Sequence, residues 1–279
     1  RKHARRNWTA CWMWRAAPAA HRHRPAAYRR RSCAPPGCCA STPPYRPERP
    51  RPQTPDGLRG VGLGSTELAG PTAPNQPKAA PVVAIAGGPA FTFSYAEHAE
   101  LLAATGAQVV TFDPLHDEQL PADTAGLVIG GGFPEVYAAE LSANQPLRKA
   151  IAELAFSGAP VSAECAGLLY LSRELDGQPM CGVLDATARM GERLTLGYRE
   201  AVAVSDSVLA VAGTRMRGHE FHRTVVEPGA GAAPAWGLHA PQRRVEGFVQ
   251  QGVHASYVHT HWASAPGVAR RFVERCRTS

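Results

Sequence analysis

The stretch Ala159-Pro160-Val161-Ser162-Ala163-Glu164-Cys165-Ala166-Gly167-Leu168-Leu169-Tyr170-Leu171 decides the fold. Its first half is a short apolar run that reads as a buried strand. Its second half passes through small residues into Leu168–Leu171, the start of a helix. Cys165 stands at the turn between them. A cysteine on a tight strand-to-helix turn with small neighbours has the geometry of a nucleophile elbow. The elbow exposes the side chain at the carboxyl end of a sheet. It also places the sulfur near the positive end of a helix, which is expected to favour the thiolate. The thiolate is the attacking species, so the placement suits covalent acyl transfer. The competing reading is a buried cysteine that only fills space. The small flanking residues and the strand–turn–helix setting favour the reactive role.

Upstream of this stretch, Pro81–Ala86 reads as a strand and Ser94–Thr105 as a helix stopped by Gly106. Gln108–Phe112 and Gly126–Ile129 read as strands, and Leu141–Ser157 as one helix capped by Ser142 or Asn144. This β-α-β-β-α-β order predicts an α/β fold with a largely parallel sheet covered by helices on both faces. Beyond Gly182 shorter strands are expected at Ala201–Val204, Val208–Val211, Val245–Val249 and His254–His259, followed by a closing helix from Gly267 to Cys276.

Charge divides the chain. Residues 1–80 hold 15 Lys/Arg against 3 Asp/Glu, a surplus of +12 in a chain whose total is +7, which leaves −5 for the remainder. Thirteen of the 25 prolines and four of the seven cysteines (Cys11, Cys33, Cys38, Cys39) fall in the same segment. Such a composition cannot bury enough apolar surface to offset chain entropy, so 1–80 is expected to be a disordered Arg/Pro-rich segment and 81–279 the folded domain. The chain begins at Arg, which leaves open that 1–80 is not natural protein sequence. A basic arm suggests nucleic acid, but no aromatic or groove-reading pattern accompanies it, and nucleic-acid binding is not expected. No apolar run approaches the ~18 residues of a membrane span, so no membrane partner is expected.

Gly130-Gly131-Gly132-Phe133-Pro134-Glu135 follows a strand directly. Glycines there let backbone amides approach a ligand, and with the amide of Ala166 they could hold a developing oxyanion. Ser256-Tyr257-Val258-His259-Thr260-His261-Trp262 supplies two histidines that share one face of an extended strand, either of which could serve Cys165 as base. No acidic or cysteine cluster completes a metal site around them, and none is expected. Arg217-Gly218-His219-Glu220-Phe221-His222 reads as a polar strand end on which Glu220 and His222 share a face.

These motifs, in this order and together with Phe91–Tyr95, Thr187–Met190 and Leu196–Arg199, make the stretch from about Val82 to Arg275 resemble the C-terminal glutamine amidotransferase domain of the cobyrinic and hydrogenobyrinic acid a,c-diamide synthases. The resemblance implies a class I-type glutaminase fold. It implies Cys165 as nucleophile and His259 as the residue that activates it, with His261 as fallback and Glu220 in support. Gly131, Gly132 and Ala166 would bind glutamine and the oxyanion. Many relatives in the wider superfamily place a Glu where His261 stands, so a dyad is expected rather than a triad. Glutamine is the implied substrate, and the ammonia would go to an ATP- and Mg²⁺-dependent synthetase domain that amidates a corrinoid in the cytoplasm. Residues 1–80 carry no phosphate loop, so this chain is expected to bind no cofactor itself and to need a synthetase partner; a homodimer stays open. The readings that compete are a non-catalytic remnant and an amidotransferase for another tetrapyrrole or a cell-wall substrate.

Overall fold

A computed structural model describes residues 79–265 and 267–278. The segment expected to be disordered therefore lies almost wholly outside the described residues.

The first half of the fold runs β1 (Val82–Ala86), α1 (Ala96–Ala104), β2 (Gln108–Phe112), β3 (Thr124–Ile129), α2 (Ala138–Ala143), α3 (Gln145–Phe156), β4 (Val161–Glu164) and α4 (Ala166–Leu171). Two short strands follow, β5 (Glu174–Leu175) and β6 (Gln178–Pro179), and then a long antiparallel pair, β7 (Thr187–Ala203) and β8 (Arg215–Glu227). The chain closes through β9 (Trp236–Leu238), β10 (Arg244–Glu246), β11 (Phe248–Gln250), β12 (Val253–Ser256), β13 (His259–Thr260), a 3₁₀ turn at Trp262–Ser264 and α5 (Gly267–Cys276).

Six strands form one sheet in the order β11-β12-β4-β3-β1-β2, parallel throughout except for the edge pair β11–β12. Successive strand side chains point to opposite faces. Ala84, Ala86, Leu127 and Ile129 therefore join one apolar core with Leu147, Ile151 and Leu168, under α3 and α4. Val83, Ile85 and Val128 join the other with Leu102, Trp262 and Phe272, under α1 and α5. Both faces are buried, as a parallel sheet with crossover helices requires. The second sheet is built on β7, with β8, β9, β10, β5 and β6 around it and β13 on the far edge of β8.

The expected α/β fold with a largely parallel sheet and helices on both faces is the one observed. Four local expectations change. The single helix over 141–157 is two helices, because Pro146 has no N–H to offer the carbonyl of Ser142. Arg148 Nε donates to that carbonyl instead at 3.0 Å, and Asn144 caps α3 through Leu147 N–H at 3.4 Å. Val208–Val211 is a loop that buries Val208, Leu209 and Ala210. Val245–Val249 breaks at Gly247 (φ 79°), whose left-handed backbone turns β10 of the second sheet into β11 of the first. The run His254–His259 is likewise two strands in two sheets. The long β7–β8 pair was legible only at its end, since Leu194, Leu196, Tyr198 and Phe221 are exposed and blur its alternation.

Gly167 shows how tightly the elbow is built. Its N–H donates to the Gly130 carbonyl at 3.1 Å, and a Cβ here would meet the Ile129 carbonyl oxygen at 2.3 Å. Gly167→Ala must push α4 off β3. It is expected to cost about 1–3 kcal/mol in urea unfolding, the range for overpacking.

Candidate active site

Cys165 sits between β4 and α4 at φ 50°, ψ −97°, outside the regions that L-residues favour. That strain is the signature of an elbow held by its surroundings. Cys165 N–H donates to the Ser256 carbonyl at 2.8 Å, which ties the turn to the end of β12. The side chain opens into a cavity of about 610 Å³ whose walls include Phe93, Gly132, Glu135, His219, Phe221 and His259.

His259 reaches this cavity because the chain changes sheets after Ser256. β12 is hydrogen-bonded to β4 in the first sheet, whereas β13 pairs His259 with His219 and Thr260 with Gly218 in the second. Two buried carboxyls grip the crossing. Glu246 Oε2 accepts the Tyr257 N–H at 3.0 Å. Glu164 Oε1 accepts both the N–H of Thr260 at 3.0 Å and its hydroxyl at 2.5 Å. Glu164 precedes Cys165 and Thr260 follows His259, so one carboxyl links the neighbours of the two expected reactive residues across 96 positions of sequence.

The His259 ring lies parallel to that of His219, with centroids 4.8 Å apart and planes within 6°. Beneath it is Gly131, where a Cβ would meet His259 Cε1 at 2.4 Å. Gly218 is equally constrained, since a Cβ would fall 2.2 Å from the His259 carbonyl oxygen. Tyr95 Oη stands 3.4 Å from His219 Nδ1.

The sequence-predicted residues divide into two groups. Cys165, His259 and Gly132 share the cavity, Gly131 supports His259, and the Ala166 amide hydrogen-bonds the Cys165 sulfur. His261 is absent from the cavity wall. The strand ends at Thr260, so alternation no longer puts His261 beside His259; it is exposed, with Nε2 2.5 Å from Glu97 Oε1. Glu220 also lies outside the cavity lining. It is fully buried, paired with Arg199 Nε and with Arg244 Nη2 at 2.6 Å, and its Oε1 is 3.7 Å from His222 Nε2. Burial alone would raise its pKa, but contacts from His222, Arg244 and Arg199 overcome burial and hold the carboxyl down at about 2. Its place is structural, joining β7, β8 and β10. Sequence reading missed Glu164, Thr260, Glu135 and the packing role of His219. The adjacency of Glu164 to Cys165 and of Thr260 to His259 was the available signal.

Electrostatically the site departs from the thiolate expected of a helix terminus. Burial pushes the Cys165 thiol up to about 12, and the nearby Glu135 charge adds to this; the Ala166 N–H works the other way but is outweighed. Burial likewise takes His259 down to about 4, aided by His219, His222 and His98. Desolvation dominates for two side chains this buried, so thiol and imidazole are both neutral at rest. Among the described residues no group of three or more His, Cys, Asp and Glu is disposed to hold a metal ion, and no helix is long and apolar enough to cross a membrane.

The CobB/CobQ-like glutamine amidotransferase domain matches residues 82–267, and the chain belongs to that family. Among curated proteins it is 74% identical over 244 residues to the hydrogenobyrinate a,c-diamide synthase of Streptomyces coelicolor, covering 88% of this chain and 46% of that protein. It is 59% identical over 194 residues to the enzyme of the same name from Mycobacterium tuberculosis, covering 68% and 42%. The chain thus spans somewhat under half the length of these relatives. A crystal structure of a glutamine amidotransferase superposes with a TM-score of 0.50 at 21% identity, covering 70% of this chain and 98% of that one, and shares the fold.

The buried carboxyls set a pH dependence of stability. Burial raises Glu164 to about 7 and Glu246 to about 8, well above their unfolded values, so their contribution is complete at low pH and is lost as pH climbs through 7 and 8. His98, His254 and His259 are held near 4, 3 and 4 by burial, so their opposing effect is confined below about pH 6.5. The melting temperature is expected to fall between pH 6.5 and 8.5. Glu246→Gln should flatten that decline, as followed by calorimetry at constant ionic strength.

Proposed function

We propose that this chain hydrolyses glutamine and supplies the ammonia for ATP-dependent amidation of the a and c carboxylates of hydrogenobyrinic or cobyrinic acid. One observation carries the reading: Cys165, on a positive-φ elbow, shares a cavity with His259, in a chain 74% identical to a hydrogenobyrinate a,c-diamide synthase.

His259 takes the Cys165 proton as the sulfur attacks the carboxamide carbon of glutamine. The oxyanion that forms lies between the backbone N–H groups of Ala166 and Gly132. Collapse of this intermediate breaks the C–N bond, and His259 returns the proton to the departing ammonia. A glutamyl thioester remains on Cys165. Water, deprotonated by His259, then releases glutamate and the free thiol. His259 is neutral at rest and so starts in the form that accepts a proton; Glu164 and Thr260 hold it where it is needed. No cofactor enters these steps. ATP and Mg²⁺ would be used by a separate synthetase half, and the assembled enzyme would work in the cytoplasm.

The rim of the cavity suits docking of that half. Phe93 and Phe133 meet edge-on with centroids 5.0 Å apart, and Leu196 pairs across the strands with Phe221. All four are exposed, Leu196 to 65%. Large apolar side chains gathered at one mouth mark an interaction surface, and covering them would keep ammonia from water. Leu196→Asp is expected to weaken association with a synthetase half by about tenfold or more while leaving the melting temperature unchanged, as measured by titration calorimetry.

The dyad is tested in the presence of a synthetase half from the same family. Cys165→Ala should lower ammonia release by about a thousandfold or more and His259→Ala by about a hundredfold or more, with His261→Ala near wild type. Full activity in Cys165→Ala would leave a non-catalytic remnant as the better account, and a loss in His261→Ala matching that in His259→Ala would overturn the choice of base.

A further inference from the structure

The cavity wall holds two charged groups for which the proton relay has no use, Arg223, which donates to the Glu192 carbonyl at 3.2 Å, and Glu135, whose charge bears on the thiol. Glu135 ends the loop Gly130–Glu135 after β3 and lines the cavity together with Cys165 and His259. It is half-buried, and among the described residues no Lys, Arg or His forms an ion pair with it. The charge felt at its carboxylate is another carboxylate, Asp176, whose Oδ1 accepts the N–H of Met190 on the cavity wall. Glu135 also works against the chemistry beside it, because it is the foremost charge holding the Cys165 thiol protonated. An unpaired carboxylate on open surface is solvated by water and costs little; one inside a largely apolar cavity next to a thiol carries a penalty that a cation would relieve.

The ligand of this cavity under the glutaminase reading brings such a cation. Glutamine carries an α-ammonium group at the far end of the same short chain as its carboxamide. We propose that Glu135 binds the α-ammonium of glutamine and so selects the free amino acid over amides that lack this charge. The inference rests on the glutaminase reading above. It gives Glu135 a second consequence. Once the ammonium is in place the negative field at Cys165 is cancelled, so the thiol gives up its proton more easily with the correct substrate bound than in the empty site. Binding energy from the non-reacting end of the substrate is then expressed at the reacting end.

The test uses the full chain with Cys165→Ala, so that binding is read without turnover. Glutamine and glutaramate, which is glutamine without its α-amino group, are titrated calorimetrically into Cys165→Ala and into Cys165→Ala/Glu135→Gln. The single variant is expected to bind glutamine about tenfold or more tightly than glutaramate, the scale of one charge-assisted hydrogen bond. The double variant should lose most of that preference while its affinity for glutaramate stays within about twofold. A preference left intact in the double variant, equal affinity of the single variant for both amides, or an equal weakening of both amides overturns the role of Glu135 and leaves the glutaminase reading standing. Absence of glutamine binding to the single variant overturns the glutaminase reading, and this proposal with it.

Discussion

The site depends on one crossing of the chain between sheets. From Ser256 to His259 the backbone leaves the end of the parallel sheet and joins the edge of the antiparallel one. It is fixed at three points: the Ser256 carbonyl accepts the N–H of Cys165, the Tyr257 N–H donates to Glu246, and the backbone and hydroxyl of Thr260 donate to Glu164. A segment that changes sheets leaves backbone groups without ladder partners, and buried groups of that kind must be satisfied elsewhere. The two carboxyls meet that need, and in doing so they fix where the His259 ring lies relative to the elbow.

Burial sets the electrical state of this arrangement. The enclosure that holds Cys165 and His259 also strips their solvent, so neither is charged at rest. A thiolate would be open to oxidation and alkylation; a neutral thiol is less so. The parallel His219–His259 stack fits the same logic, since two charged imidazoliums would not tolerate rings 4.8 Å apart.

The β7–β8 pair carries the cavity wall outward to an exposed surface. One side of it contributes His219 and Phe221 to the cavity and extends Leu196 and Tyr198 beyond the rim, with Tyr198 93% exposed. Their exposure, beside that of Phe93 and Phe133, makes this the apolar side of the cavity mouth.

By itself the sequence determined the α/β class, the strand-to-helix turn at Cys165 and the family to which the chain belongs. These are local properties: short apolar strands, small residues at a turn, and motifs whose residue types and order are specific. Tertiary structure decided which polar residues meet. Alternation along one strand placed His259 and His261 together, but that rule holds only while the strand continues, and β13 ends at Thr260. Glu220 had the composition of a site residue, yet Arg199 and Arg244 neutralise it within the second sheet, and those partners arrive from strands 21 and 24 residues away. Glu164 lay beside the candidate nucleophile throughout, but its role came into view only with Thr260, 96 residues on, because a buried carboxyl is defined by the donors that folding brings to it.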